Sequence, residues 1–399
     1  MSTTPQVPLG TSGGPTDEGP GADEFAERLF ASALGALDVF SVYLGDRLGW
    51  YRSLATDGPA TSAELATRTG TQERYAREWL EGQAVAGVLT VAPGRAPSAE
   101  PTTQPDRSPR GEPPSSGPLV TEAAARRYAL PPGPAEVLTD EHSLAYLAPL
   151  PRLFAAVGRT FDELLGAYRD GGGVSWGRLG PDAREAQADL NRPWFEHELA
   201  GALGRVPDLH AILSRPTARV ADVGCGAGWS TVALARAYPQ ARFDGYDIDG
   251  PSVEMARANA EAAGVADRVA FHAADAAALP TDAPLDAAFA FECTHDMPRP
   301  VEVLSAVRRA VLPDGAVVVM DEAVAQEFTA PGDEVERLMY GFSQFVCLPD
   351  GLSSSPSVGT GTVMRPATLE RYALDAGFER VEVLPIEGFS FFRFYRLHH

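Results

Sequence analysis

The sequence contains no lysine, and all 33 of its basic residues are arginine. Together with the abundance of alanine, glycine and proline, this indicates GC-rich coding rather than a particular chemistry. Positive charge is also scarce, because 54 acidic residues give a formal net charge of -21 at pH 7. Nucleic acids and anionic membranes repel such a chain at long range, so neither is an expected partner.

Cysteine is equally sparse. Cys225, Cys293 and Cys347 are too few and too scattered for a disulfide framework or a zinc site, so we expect a reducing environment and no metal. No apolar run reaches about 18 residues, the length of a membrane span. The N-terminus also lacks the basic and then apolar pattern of a signal peptide. These features predict a soluble, cytoplasmic protein.

The length of 399 residues exceeds the usual size of one core and predicts two domains. Residues 1–22 are rich in Ser, Thr, Gly and Pro and are predicted to be a disordered tail. Residues 23–135 show a helix-turn-helix pattern followed by two short strands, which is typical of a winged helix. A Pro- and Ser-rich insertion at 93–118 separates those strands and is predicted to be disordered. Residues 136–215 predict a helical linker and lid, and 216–399 alternate between strands and helices, which predicts an α/β domain.

The predicted winged helix has two possible roles. Such a unit can bind DNA, or it can serve as a dimerisation and substrate-lid domain. Acidic residues outnumber arginines between Asp23 and Leu150, and the second helix has no basic face. This charge balance favours the second role.

One glycine-rich turn is the most informative segment. It reads Asp222-Val223-Gly224-Cys225-Gly226-Ala227-Gly228 and lies between an apolar run and a helix. Glycine allows a tight turn and a close approach to a ligand. A dinucleotide fingerprint would need a small residue at Trp229, where the helix packs on the strand. The indole there favours instead a loop for S-adenosylmethionine (SAM).

Acidic residues follow three successive predicted strands. Asp247 lies 23 residues after Gly224, near the spacing at which a carboxylate accepts hydrogen bonds from a ribose diol. Asp249 is a weaker candidate and is also placed to cap the next helix. Asp275 follows the third strand, where an acid can accept a hydrogen bond from the adenine amino group. Ligands of such sheets bind beyond the carboxyl ends of the strands. The three acids at these ends, Asp222, Asp247 and Asp275, together predict the cofactor site.

This pattern resembles the class I SAM-dependent methyltransferases. The resemblance implies a Rossmann-like core of seven strands, with an antiparallel last strand, beside a mainly α-helical winged-helix domain. It also implies SAM as cofactor, S-adenosylhomocysteine (SAH) as product, and a backbone contact from Ala276 to the adenine ring. The implied cofactor-binding residues are Asp222, Gly224, Gly226, Gly228, Asp247, Ile248, Asp275, Ala276 and Glu292.

A second resemblance concerns the acceptor. The fourth strand ends in Glu292-Cys293-Thr294-His295-Asp296, and the His-Asp pair is similar to that of O-methyltransferases of specialised metabolism. The resemblance implies that His295 deprotonates an acceptor hydroxyl and that Glu322 orients the imidazole. Those enzymes usually have tryptophan after the pair, whereas here Met297 follows. The alternative is that His295 only caps the helix beginning near Arg299.

Over residues 23 to 397, outside the insertion, the chain resembles actinobacterial class I methyltransferases with an N-terminal winged helix. The matching segments are Asn191-Arg192-Pro193, Gly228-Trp229-Ser230, His295-Asp296, Arg337-Leu338-Met339-Tyr340-Gly341, Cys347-Leu348-Pro349 and Gly361-Thr362-Val363-Met364-Arg365-Pro366. The resemblance implies a homodimer.

We expect a small-molecule acceptor, aromatic in character, with Trp176, Trp194 and Phe195 closing over it. The predicted function is SAM-dependent methyl transfer, at oxygen before nitrogen or carbon. Two alternatives stay open. One is a SAM-binding enzyme that performs cyclisation or decarboxylation, and the other is a SAM-sensing winged-helix regulator.

Overall fold

The computed structural model describes residues 19–92, 125–280 and 283–399. The predicted insertion at 93–118 lies outside these residues, and so does most of the predicted tail at 1–22. The first helix begins at Ala22, at the end of that tail.

The described part of the N-terminal domain includes four helices and a two-stranded antiparallel sheet. They are α1 (Ala22–Arg47), α2 (Trp50–Asp57), α3 (Ser62–Thr69), α4 (Glu73–Val85), β1 (Thr90–Ala92) and β2 (Arg127–Ala129). Gly49 ends the first helix with a φ of 70°, a conformation that glycine adopts without strain. Thr61 and Glu64 form a capping box that starts α3. The predicted helices and wing are therefore present, around a core that contains Trp50, Trp79 and Tyr128.

The outer face of α1 is apolar and exposed. Its large side chains recur every three or four residues, which places them on one side of the helix. They are Phe25, Leu29, Phe30, Leu34, Leu37, Phe40 and Leu44. By length and composition alone, α1 is also the one helix in the described ranges that could cross a membrane. We call this surface the α1 stripe.

The segment between the two domains is helical, as predicted. It comprises α5 (Pro132–Thr139), α6 (Pro149–Gly158), α7 (Phe161–Asp170), α8 (Trp176–Leu179), α9 (Pro181–Trp194), a π-helical turn (Phe195–Leu199), α10 (Ala200–Gly204) and α11 (Pro207–Leu213). Pro193 lies inside α9, and the π-helical turn follows it directly. Proline removes one backbone donor of the helix, which accounts for the irregular turn at this point.

The C-terminal domain alternates strands and helices along the chain. Its strands are β3 (Arg219–Val223), β4 (Arg242–Asp247), β5 (Val269–Ala273), β6 (Leu285–Phe291), β7 (Val311–Glu322), β8 (Arg380–Val383) and β9 (Phe392–His398). Its helices are α12 (Trp229–Ala237), α13 (Gly250–Ala262), α14 (Pro300–Ala310), α15 (Glu334–Phe342), α16 (Leu348–Leu352) and α17 (Pro366–Asp375). A π-helical turn (Ser343–Cys347) joins α15 to α16.

The seven strands form one sheet in the order β5-β4-β3-β6-β7-β9-β8. The first five are parallel, and β9 runs antiparallel to both of its neighbours. This confirms the predicted fold class. Because β3 pairs with β4 on one side and β6 on the other, the strand order reverses at β3. The carboxyl end of β3 is therefore where a ligand of such a sheet binds.

Candidate active site

The glycine turn after β3 needs glycine at two positions for reasons of space. Gly224, Gly226 and Gly228 all have positive φ angles, of 68°, 50° and 77°. A Cβ atom at Gly224 would lie 2.6 Å from the Cβ of Cys293, and one at Gly228 would lie 2.6 Å from the ring of Phe271. The turn is thus pressed between the ends of the neighbouring strands, as a loop that approaches a ligand closely requires.

Asp222 lies beneath this turn and is buried, with 1% of its surface exposed. One carboxylate oxygen accepts hydrogen bonds from Ser230 (2.6 Å) and Thr231 (2.5 Å) at the start of α12. Burial raises the pKa of Asp222 to about 6, against the effect of these two hydrogen bonds. Within the described part of the chain the other oxygen, Oδ1, has no partner. Asp222 therefore connects the turn to α12 through Oδ2, and its Oδ1 remains available for a further contact.

Asp247 connects the end of β4 to the same turn. Its Oδ2 accepts a hydrogen bond from the backbone N–H of Gly226 (2.8 Å), and its Oδ1 accepts one from Asp249 (2.8 Å). Burial raises its pKa, although these backbone donors oppose the shift. The neighbouring Ile248 leaves 76% of its surface exposed, which is unusual for a large apolar residue. Both features suit a site that contacts a nucleoside.

Asp249 and Asp275 have structural partners of their own. Asp249 accepts a hydrogen bond from the N–H of Ser252 (3.0 Å) and thereby caps α13, which is the alternative that the sequence left open. Asp275 accepts one from Ala277 (2.8 Å) and lies 3.3 Å from Arg299, just after β5. The carboxylates of Asp222, Asp247 and Asp275 thus lie at the ends of three adjacent strands, as predicted.

Glu292 directly follows β6 and has an unusual environment. Its φ angle is 53°, in the left-handed region that few residues other than glycine adopt. Asn191 of α9 donates a hydrogen bond of 2.6 Å to its Oε2. Burial, followed by the charge of Glu322, raises the pKa of Glu292 to about 8. The side chain is therefore mostly protonated at neutral pH.

His295 is surrounded by carboxylates and is 2% exposed. Its Nδ1 lies 2.8 Å from Asp321 and 3.1 Å from Glu322, and its Nε2 lies 3.2 Å from Asp296. Burial alone would lower the pKa of His295, but the three carboxylates outweigh it and hold the pKa well above its usual value. Helix α14 has Arg299 at its N-cap position, with no side-chain cap. The alternative in which His295 only caps this helix is therefore wrong.

Sequence reasoning missed Asp321, which contacts the imidazole more closely than the predicted Glu322. The signal was its place as the buried penultimate residue of β7, next to β6 in the sheet. Two sets of donor atoms here lie within 4.8 Å of one another and could hold a metal ion: His295 with Asp321 and Glu322, and His295 with Asp296 and Cys347. The absence of a metal stays a prediction.

Three aromatic side chains were expected to close over the acceptor, those of Trp176, Trp194 and Phe195. Trp194 packs on Phe389 with ring centres 5.6 Å apart, and Phe195 packs on Phe291 at 5.8 Å. Phe195 belongs to the core beside the sheet and Trp194 packs against that core, and their place over the acceptor stays a prediction. Trp176 packs instead against the α15–α16 region, and its backbone N–H donates to Asp350 (2.7 Å).

Comparisons with known proteins agree with this architecture. Residues 214–347 match a family model described as a methyltransferase domain, and residues 36–100 match the Rv2258c-like winged HTH domain. Among curated proteins, 27-O-demethylrifamycin SV methyltransferase of Amycolatopsis mediterranei is 36% identical over 104 residues, which are 26% of this chain and 38% of that protein. The chain spans about two fifths of the length of the curated relatives that it matches.

Solved structures resemble the whole chain. The mitomycin 7-O-methyltransferase MmcR has a TM-score of 0.64 and 20% identity, over 95% of this chain and 99% of that one. Human N-acetylserotonin methyltransferase, solved in complex with SAM, has a TM-score of 0.60 and 16% identity, over 96% and 99% of the two chains. The fold is thus that of a class I methyltransferase. In this chain the methyltransferase domain is joined to an Rv2258c-like winged-helix domain.

Proposed function

We propose that this protein transfers the methyl group of SAM to a small-molecule acceptor and releases SAH. The observation that carries the proposal is the contact of Asp247 with the N–H of Gly226. This contact joins the expected ribose ligand to the glycine turn at the point where the strand order reverses. Asp222 retains one oxygen without a partner among the described residues at the same place, which fits a further ligand contact.

The residues present fit the chemistry of methyl transfer. SAM, when bound, supplies an activated methyl group on a sulfonium, and an acceptor lone pair would attack that methyl in line and displace the sulfur. Such a reaction depends mainly on positioning, and it needs a base only where the acceptor carries a proton. The buried glycine turn and the acids at the strand ends would fix the cofactor. The remaining requirement is a group that takes the proton.

We propose that His295 is the group that takes the proton from the acceptor. Asp321 and Glu322 face Nδ1 and fix the orientation of the ring, so Nε2 is the nitrogen that faces the acceptor side, next to Asp296. The carboxylates raise the pKa of the imidazole and so strengthen it as a base. Turnover should therefore rise with pH as His295 loses its proton.

Oxygen is the proposed acceptor atom, and specialised metabolism is the proposed setting. The names of 27-O-demethylrifamycin SV methyltransferase and of the mitomycin 7-O-methyltransferase support both by similarity. A hydroxylated aromatic acceptor suits an imidazole base. A cytoplasmic setting is also proposed, and the acidic charge of the chain argues against binding to nucleic acid or to an anionic membrane.

A homodimer is the proposed assembly, with the α1 stripe as the contact surface. An amphipathic helix that exposes seven large apolar side chains on one face is stabilised when a second copy covers them. The two alternatives predict different results. Cyclisation or decarboxylation would leave the methyl on the cofactor, and a SAM-sensing regulator would need a basic recognition helix, which the acidic domain opposes.

Calorimetric titration with SAM and SAH tests the proposal. We expect micromolar binding of both that Asp247→Ala abolishes, and a matched Asp267→Ala change at an exposed position that leaves binding intact. Hydroxylated aromatic compounds are then screened by mass spectrometry for the gain of one methyl group. Failure of the unchanged protein to bind SAM would overturn the proposed function.

A further inference from the structure

Helix α9 has two polar faces that contact different parts of the molecule. Along one face, Asp182, Glu185 and Asp189 recur at helical spacing and pair with arginines. The pairs are Arg159–Asp182 (2.7 Å), Arg47–Glu185 (2.7 Å) and Arg152–Asp189 (2.7 Å). This face joins α9 to the N-terminal part of the chain.

The other face of α9 contacts the candidate cofactor site. Arg184 donates two hydrogen bonds to Asp249 (2.6 and 2.9 Å), beyond β4. Asn191, seven residues further along the helix, donates to Glu292 (2.6 Å), and Gln187, between them, helps to lower the pKa of the same carboxyl. The helix therefore holds Glu292 from the side opposite the sheet.

The placement of Glu292 suggests that it serves a ligand. Its left-handed backbone carries a cost on the order of 1–3 kcal/mol, and strain of this kind persists where the surrounding structure imposes it, often at functional sites. The next residue, Cys293, is pressed against Gly224, so Glu292 lies beside the glycine turn. Burying a carboxyl at this point also carries a cost, unless a cation binds next to it.

We propose that Glu292 is the anionic partner of the cofactor's sulfonium and that Asn191 is the residue that positions it. Glu292 gives up its proton to solvent when SAM binds, so that a carboxylate faces the sulfonium. It takes a proton back when methyl transfer makes the sulfur neutral. The inference rests on the proposed function, because it assumes that SAM binds at the glycine turn.

The charges and protons of the proposed step balance. The acceptor oxygen forms the new C–O bond with a lone pair, and the electrons of the breaking C–S bond stay on sulfur. The acceptor loses one proton in this step, and one positive charge disappears from the cofactor. His295 takes that proton and later returns it to solvent, and the carboxylate of Glu292 takes up a proton from solvent once the sulfur is neutral. After the transfer, the sulfur of SAH and the protonated carboxyl of Glu292 are both neutral. No ion pair then holds the product, which favours its release.

The groups around Glu292 determine when it ionises. Glu322 and burial oppose the carboxylate, whereas the amide donors of Asn191 and Gln187 and the charge of His295 favour it. A sulfonium in contact adds a further favourable charge. With a pKa of about 8 before binding, Glu292 carries about 0.9 of a proton at pH 7, and this is the amount that SAM binding should release.

Calorimetry in buffers of different ionisation enthalpy measures this release directly. For the unchanged protein at pH 7, we expect about 0.9 proton released per SAM bound and none per SAH bound. Glu292→Gln should bind SAM with no proton release and roughly 10- to 100-fold more weakly, and it should bind SAH as before. Equal proton release with SAM and SAH, or an unchanged release in Glu292→Gln, would overturn the proposal.

Two further variants distinguish the positioning of Glu292 by Asn191 from a general loss of the contacts of α9. Asn191→Leu removes the amide that holds Glu292 and should weaken SAM binding more than SAH binding. Arg184→Met removes the other contact of the same helix face and should affect both ligands equally. The same loss of affinity for SAM and SAH in Asn191→Leu would contradict its assigned role. If the unchanged protein binds no SAM, the proposed function itself fails instead.

Discussion

Replacing Glu292 by glutamine should stabilise the protein, and the gain should grow with pH. The pKa of Glu292 is about 8 in the folded chain, against 4.5 for an ordinary glutamate. Between these values the folded chain holds a proton that the unfolded chain has lost. The free energy of unfolding therefore falls as pH rises, by about 1.4 kcal/mol per pH unit, and the loss is complete above pH 8. Glutamine carries no such proton, and its carbonyl oxygen still accepts the hydrogen bond from Asn191.

Thermal unfolding at several pH values measures this difference. For a domain of about 200 residues, 1 kcal/mol corresponds to roughly 2–4 °C in Tm. The Tm of Glu292→Gln minus that of the unchanged protein should therefore widen by about 3–6 °C per pH unit between pH 5 and 8, and then level off. Glu370→Gln, at an exposed position of α17, is the matched control and should show no such trend. A difference that stays constant over this range would refute the assignment of a raised pKa to Glu292.

Three other variants test separate parts of the molecule. Arg152→Met leaves the buried Asp46 without its partner and should cost about 3–5 kcal/mol in denaturant unfolding, whereas Arg178→Met, at an exposed pair, should cost less than about 1 kcal/mol. His295→Gln should lower turnover by roughly 100-fold or more while SAM affinity stays within about twofold, and unchanged turnover would remove its role as a base. Leu37→Glu, in the centre of the α1 stripe, should halve the mass measured by light scattering, and a monomeric unchanged protein would contradict the proposed dimer.

Local sequence patterns predicted much of the C-terminal domain. The glycine-rich turn lies between an apolar strand, β3, and a helix, α12, as its sequence context predicted. These elements are short apolar runs bounded by glycine, proline or acidic residues, so each carries its own signal. The antiparallel last strand, β9, followed from the resemblance.

The environment of the site was harder to predict because it joins distant segments. Asn191 and Glu292 are 101 residues apart, and their contact depends on how α9 docks against the sheet. The same docking packs Trp194 and Phe195 against the core. They were expected to line the site because they lie close in sequence to a residue of the site, Asn191. Asp321 was missed for a related reason. From the sequence alone, a carboxylate at the end of a buried strand is predicted only as a further core residue. Its contact with the histidine that follows the adjacent strand is visible only in the folded sheet.

Three acids of the candidate site share one electrostatic property. Burial raises the pKa of Asp222, Asp247 and Glu292, which means that each carboxylate is less stable in the folded chain than in water. Arginines neutralise acids elsewhere in the molecule, as Arg152 does for Asp46, but these three accept hydrogen bonds from neutral groups instead. A site built in this way gains most from a ligand that brings positive charge and hydroxyl donors together. SAM has both, and SAH lacks the sulfonium, so these carboxyls favour binding of the substrate over binding of the product.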